Sequence, residues 1–259
     1  MLSPDLIDAL ATTLDDAVLN TKAVEKLTAT NPFLLTDGYR IQRAGIALRK
    51  LRGDDLVGLK MGLTSRAKMV QMKVDVPIYG HLTKSMILED GGVVRRAHHI
   101  HPRVEPEIAY ILGKDLEGPV TPAQALLAVD GCCCALELID SRFENFQFTL
   151  EDVVADNGSS SRFVLGNVIK PRDFDCGNLG MVMEKNGVVA EIGSSAAIYD
   201  HPARSLAALA NQLATLGEKL TAGMIVMTGG ATAAIALDVG DHVRVRVDGL
   251  GSAEFSVIA

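Results

Sequence analysis

The chain has 259 residues, 48 % of them hydrophobic and 22 % charged, a balance that predicts a folded protein with a substantial core. Lys and Arg number 25 against 32 Asp and Glu, a net charge of −7, and the aromatics are 7 Phe and 4 Tyr with no Trp. Such an acidic chain is ill suited to phosphate backbones or anionic membranes. The apolar stretches are broken by Gly, Asp or Arg well short of the roughly 18–20 residues of a bilayer crossing. Met1-Leu2-Ser3-Pro4-Asp5 lacks the basic start of a secretion signal, so a cytoplasmic protein is expected.

The first fifty residues read as helical. Leu6, Ile7, Leu10, Leu14 and Val18 recur at helical spacing behind Ser3 and Pro4, a cap and a first-turn residue. A second helix is expected from about Asp37 to Leu51, stopped by Gly53. Beyond Gly53 the chain turns to short apolar runs punctuated by Gly and Pro. Strands are expected at Leu56–Met61, Val104–Leu112, Cys132–Ile139, Phe163–Val168, Val182–Lys185, Val188–Ile192, Met224–Met227, His242–Val247 and Ser252–Ile258. Asn186-Gly187 is a hairpin signal, because both residues tolerate positive φ. Two more helices interrupt, Pro122–Ala128 behind Thr121 and Pro202 to about Leu216, the latter lined by Leu206, Leu209, Leu213 and Leu216. Strands and helices do not alternate strictly, which argues against a doubly wound parallel sheet. The reading is an α+β protein: a helical region over 1–53 packed on a mostly antiparallel or mixed β core over 54–259.

Cys132, Cys133 and Cys134 are consecutive, so in a strand they alternate between faces and cannot converge on one zinc ion. With Cys176 they read as buried apolar fillers. Glu105 and Glu107 lie two apart in an expected strand and share a face, as metal ligands or as an exposed polar edge that would suit Pro106. Glu137 stands inside an apolar run, where an ionised carboxylate needs a positive partner: a hard dication shared with the pair, or a salt bridge to Arg103 or Arg142. Lys60, between Leu59 and Met61 and flanked by glycines, is either a poorly solvated acid–base group or a surface lysine. The loop through Asp156, Asn157, Gly158, Ser159, Ser160, Ser161 and Arg162 offers N–H groups, hydroxyls and a guanidinium suited to a carboxylate, and Thr228-Gly229-Gly230 is a similar loop.

In this order, Gly58-Leu59-Lys60-Met61-Gly62-Leu63-Thr64-Ser65, the Arg103–Glu107 strand, Ala135-Leu136-Glu137, Ala155-Asp156-Asn157 and Gly249-Leu250-Gly251-Ser252 resemble the 2-oxopent-4-enoate hydratase / 4-oxalocrotonate decarboxylase family, related in fold to the carboxy-terminal domain of fumarylacetoacetase. The resemblance spans nearly the whole chain. It implies a mixed β-roll core with peripheral helices, Mg²⁺ or Mn²⁺ held at Glu105, Glu107 and Glu137, and an active-site lysine at Lys60. The family's hydratases carry Pro-Asp-Phe-Gly where this chain has Pro77-Ile78-Tyr79-Gly80, so the acidic residue is missing at Ile78. The Ser159–Gly166 stretch and the Thr228 loop resemble the decarboxylase branch instead. That branch implies metal-dependent loss of CO₂ from 2-oxohex-3-enedioate, giving 2-hydroxypenta-2,4-dienoate in meta-cleavage degradation of aromatic compounds. Ser159, Ser160, Ser161, Arg162 and Thr228 would then contact the substrate, Arg162 as partner of its second carboxylate. Implied partners are a 2-oxo dicarboxylate, further copies of the chain and the downstream hydratase. Hydration of the dienol, or a non-catalytic role beside that hydratase, are the alternatives.

Overall fold

A computed structural model of the protein describes residues 1–66, 69–70, 74–170 and 175–259. Helix α1 (Pro4–Leu19) starts where Ser3 accepts a hydrogen bond from the Leu6 N–H and Pro4 occupies the first turn. Its apolar face, with Ile7, Leu10 and Leu14, meets Ile41 of helix α2 (Leu35–Leu51) and also Phe143 and Ala155 from the middle of the chain. Gln42 of α2 donates to the carbonyls of Tyr79 and Val154, which anchors the helical region to the β core through buried polar contacts.

Among the described residues the strands form two sheets. One runs β2 (Ile78–Thr83), β1 (Leu56–Gly62), β10 (Ile225–Met227), β5 (Arg103–Leu112), β6 (Val129–Ile139), β7 (Ser160–Leu165), β3 (Ile87–Leu88), with β11 (Ile235–Ala236) also on β5. The other runs β4 (Gly92–Arg95), β13 (Gly251–Ile258), β12 (His242–Val247), β8 (Gly180–Lys185), β9 (Val188–Ser194). The β1–β10, β3–β7 and β4–β13 pairs are parallel and the rest antiparallel, so the fold is α+β with mixed sheets. Short helices α3 (Pro122–Leu126) and α4 (Leu150–Ala155) each begin at a threonine capping box, and α5 (Pro202–Ala214) packs Leu206, Leu209 and Leu213 on the core.

Residue alternation divides the central strands between two tasks. Even-numbered residues of β5 and β6, among them Ile108, Tyr110, Leu136 and Leu138, enter the main core with Val243, Val245 and Phe255 of the second sheet. Odd-numbered residues, including Ala109, Cys133 and Ala135, line the other face with Phe163 and Met227. The cysteines alternate accordingly, and all four are free and buried.

Several expectations shift. Leu216 lies beyond the end of α5 and is exposed. Strand β2 was not expected: all six of its residues are buried, so it shows no polar alternation. Strand β7 begins at Ser160 rather than Phe163, which draws part of the serine run into the sheet.

His81 of β2 is buried, and burial pushes its imidazole pKa down to about 4 from 6.5. The folded state thus resists protonation that the unfolded chain accepts. The associated stability is complete above pH 6.5 and is lost as pH falls toward 4. At 1.36 kcal/mol per pKa unit the loss approaches roughly 3 kcal/mol. Urea denaturation across that range is expected to show a shallower acid loss for His81→Gln than for the native chain; equal slopes would remove His81 from the account.

Candidate active site

Strands β5 and β6 pair with Glu105 directly opposite Glu137, and Glu107 stands two residues along on the same face. One oxygen from each of the three carboxylates lies within 4.8 Å of the others. Pro106 sits in a central strand rather than at an edge because its neighbour is interrupted. β10 pairs only as far back as Ala109 and β11 resumes at Val104, and in the gap the Pro106 carbonyl accepts from the Ala231 N–H. The loop that fills this gap, Thr228 to Ala234, closes over the carboxylates. Gly229 N–H donates to Glu107 Oε2 at 2.8 Å.

Lys60 of β1 reaches the same face and donates to Glu137 Oε2 at 3.0 Å. It is 3 % exposed and Glu137 is fully buried, so the cation that Glu137 requires is Lys60 rather than Arg103 or Arg142. Arg142 is engaged with Asp156 instead. Burial and the charge of Glu137 raise the Glu107 pKa well above the usual carboxylate value, and burial raises that of Glu137. For Lys60, burial works against the ammonium, but the charges of Glu137, Glu107 and Glu105 outweigh it and the pKa rises. Three carboxylates and one ammonium leave a net −2 when all are ionised. Glu107 Oε1 and Glu137 Oε1 are buried with no hydrogen-bond partner among the described residues. Orphaned carboxylate oxygens converging in an all-oxygen set are the donors a hard dication such as Mg²⁺ or Mn²⁺ takes. The site opens to a cavity of about 650 Å³ whose walls include Lys60, Glu105, Arg103, Ile78, Phe146 and Ser159.

Residues 57–258 match the family model described as fumarylacetoacetate (FAA) hydrolase C-terminal. The chain belongs to this fumarylacetoacetate hydrolase C-terminal family. Among its relatives, a 4-oxalocrotonate decarboxylase of Pseudomonas sp is 51 % identical over 250 residues, covering 96 % of this chain and 97 % of the relative. A 2-hydroxyhexa-2,4-dienoate hydratase of Comamonas testosteroni is 34 % identical over 257 residues, covering 97 % of each. The solved 4-oxalocrotonate decarboxylase from Pseudomonas putida G7, complexed with magnesium and adipate, superposes with a TM-score of 0.98 at 43 % identity, covering 100 % of this chain and 99 % of that one.

Within this family fold, the residues read as substrate contacts divide. Ser159 lines the cavity, with φ of 58°, its carbonyl accepting from the Asp140 N–H. Ser160, Ser161 and Arg162 do not. The β6–β7 register places Phe163 opposite Glu137, so Arg162 projects from the other face, where it donates to the Ser85 carbonyl. These three line a separate cavity of about 90 Å³ with Arg49 and His98. Thr228 is fully buried and ties its hydroxyl to the Ile108 carbonyl, a latch for the loop rather than part of the cavity wall. Arg103 and Phe146 are among the cavity residues that sequence reasoning did not single out as substrate contacts. The available signal was Arg103's place two residues before Glu105, on the same face of a strand.

The paired glycines of the Thr228 loop have a physical reason. Gly229 has φ of 110°, and a Cβ there would lie 2.1 Å from Thr64 Oγ1. A Cβ on Gly230 would lie 2.4 Å from Glu105 Oε2. Gly230→Ala is therefore expected to weaken divalent-metal binding at least tenfold, by displacing one carboxylate, with under roughly 1 kcal/mol of change in metal-free stability. Calorimetric titration with Mg²⁺ and urea denaturation measure the two; unchanged metal affinity would contradict the close approach.

Proposed function

We propose that this chain is a magnesium-dependent 4-oxalocrotonate decarboxylase, a carbon–carbon lyase that converts 2-oxohex-3-enedioate to 2-hydroxypenta-2,4-dienoate and CO₂. The observation that carries the reading is the convergence of Glu105, Glu107, Glu137 and Lys60, with Lys60 and Glu105 in the wall of an otherwise largely apolar cavity. Glu105, Glu107 and Glu137 would hold the metal. When bound, Mg²⁺ supplies Lewis-acid stabilisation for negative charge developing on a 2-keto oxygen.

The substrate is a vinylogous β-keto acid. As the C5–C6 bond breaks, its electron pair forms C4=C5, the C3=C4 pair moves to C2=C3, and the carbonyl pair collects on the C2 oxygen. Lys60 holds its proton on Nζ against Glu137 and lines the same cavity, so a fixed ammonium charge would offset charge developing on the dienolate and Nζ–H could supply its proton. Leu63, Ile78, Ile139 and Val153 exclude water along the cavity and favour loss of carboxylate charge. Ile78 in the wall also leaves that position without the carboxyl group expected for hydration.

The deciding experiment is an ultraviolet assay on 2-oxohex-3-enedioate by the isolated chain, with and without Mg²⁺ and with direct detection of CO₂. Metal-dependent CO₂ release is expected. Consumption of 2-hydroxypenta-2,4-dienoate without CO₂ release would make the chain a hydratase, and no turnover of either compound would favour a supporting subunit. The product dienol is a hydratase substrate, which supports association with that enzyme; self-association and a cytoplasmic setting complete the reading. Among the described residues no helix is long and apolar enough to cross a membrane.

A further inference from the structure

A 2-oxo dicarboxylate has two charged ends, and the metal-ligating glutamates account for only one. We propose that Arg103 receives the distal carboxylate and thereby selects dicarboxylates over monocarboxylates of the same length; this deepens the decarboxylase reading and rests on it. Arg103, Glu105 and Glu107 occupy alternate positions of β5 and share one face. A strand rises about 3.3 Å per residue, so Arg103 is rooted roughly 7 Å from Glu105, about the reach of an extended six-carbon chain. Arg103 and Glu105 both line the cavity.

The guanidinium has a held orientation. Its central carbon lies 4.2 Å from the centroid of the Phe146 ring, and both groups line the cavity. Phe146 is brought beneath it by two consecutive left-handed residues, Asn145 at φ 55° and Phe146 at φ 58°. That backbone is unfavourable for L side chains, and ring contacts hold it: Phe148 with centroids 5.6 Å away and His101 at 6.4 Å. A guanidinium stacked on a ring has one face covered and its N–H edge free to grip a carboxylate in the bidentate manner. The other candidates are less suited. Arg162 is on the opposite face of the sheet, and Lys26 lines the cavity but is exposed on a flexible stem.

The chemistry also specifies how Arg103 contributes. The distal carboxylate leaves as neutral CO₂, so an ion pair to it is strongest in the ground state and fades along the reaction. Such a contact stabilises the bound substrate more than the transition state, so its removal raises KM without lowering kcat, and kcat/KM falls by less than KM rises.

The test compares 2-oxoadipate with 2-oxohexanoate, which share the 2-oxo acid end and differ in the distal carboxylate. Both are titrated calorimetrically into Mg²⁺-loaded native chain, Arg103→Met, Arg103→Lys and Lys26→Met. The native chain is expected to prefer 2-oxoadipate roughly 10- to 100-fold, the worth of one charge-assisted pair. Arg103→Met should abolish that preference by weakening 2-oxoadipate alone, Arg103→Lys should restore part of it, and Lys26→Met should retain it. With the true substrate, Arg103→Met should raise KM by a similar factor while kcat is undiminished or higher.

A preference that survives in Arg103→Met, or that disappears in Lys26→Met, overturns the proposal. Should Arg103→Met also lose 2-oxohexanoate, its site is disturbed. Arg103→Lys then decides, and an undiminished preference together with an unchanged 2-oxoadipate affinity overturns the role of the guanidinium fork. Because the titrations need no turnover, failure to release CO₂ would sink the decarboxylase reading while leaving the role of Arg103 to be read independently.

Discussion

Lys60→Met is expected to lower turnover by roughly a thousandfold and to destabilise the metal-free protein by about 3 kcal/mol. Lys60 is the ammonium set among three buried carboxylates, and its Nζ lies 3.0 Å from Glu137 Oε2. Methionine fills a similar volume and removes the charge, so the loss reports electrostatics rather than a cavity. The stability deficit has a defined pH dependence. Burial already raises the carboxyls of Glu107 and Glu137, and removal of the ammonium raises them further. Carboxyls with raised folded-state pKa values favour the folded state while protonated and cost stability as pH rises through those values. The deficit should therefore narrow in acid and widen toward neutral pH. Saturating Mg²⁺ should recover stability without recovering turnover. Urea denaturation with and without the metal measures the first, the ultraviolet assay the second; a variant with near-native turnover would remove Lys60 from the chemistry.

Glu107→Gln is expected to move stability and function in opposite directions. The amide matches the carboxylate in shape, and its oxygen can still accept from the Gly229 N–H that now donates to Oε2 at 2.8 Å. What disappears is a buried negative charge held near two others, so metal-free stability at neutral pH should rise by about 1–2 kcal/mol. Mg²⁺ affinity and metal-dependent turnover should both be lost, since the neutral amide is a far weaker ligand for a hard dication. In the native chain, EDTA should silence activity and added Mg²⁺ should restore it. A Glu107→Gln protein that keeps native metal affinity, or a native rate indifferent to chelation, would contradict the assignment.

These expectations rest on features that local pattern could reveal to different degrees. The Glu105/Glu107 pair was legible because a strand has a strict two-residue period, and Lys185-Asn186-Gly187-Val188 because a tight hairpin turn needs positive φ. Helix starts were legible for the same reason, since Ser3 and Thr121 satisfy N–H groups within three residues of themselves. Strand β2 was hidden because burial on both faces erases alternation. The role of Pro106 was hidden because an edge and an interrupted central neighbour look alike from within one strand.

The sequence by itself determined which residues carry charge into apolar surroundings, and on which side of each strand they stand relative to their own neighbours. It could not say which strands meet. Glu137 is joined to Lys60 across 77 positions of chain, and Arg162 is turned from the carboxylates by the β6–β7 register. A one-residue change in that register would send Arg162 to the site face and Phe163 away from it. Facing across a sheet is a property of pairing between distant segments, set by the packing of the whole core, and for that reason the tertiary structure alone decided the partner of each charge.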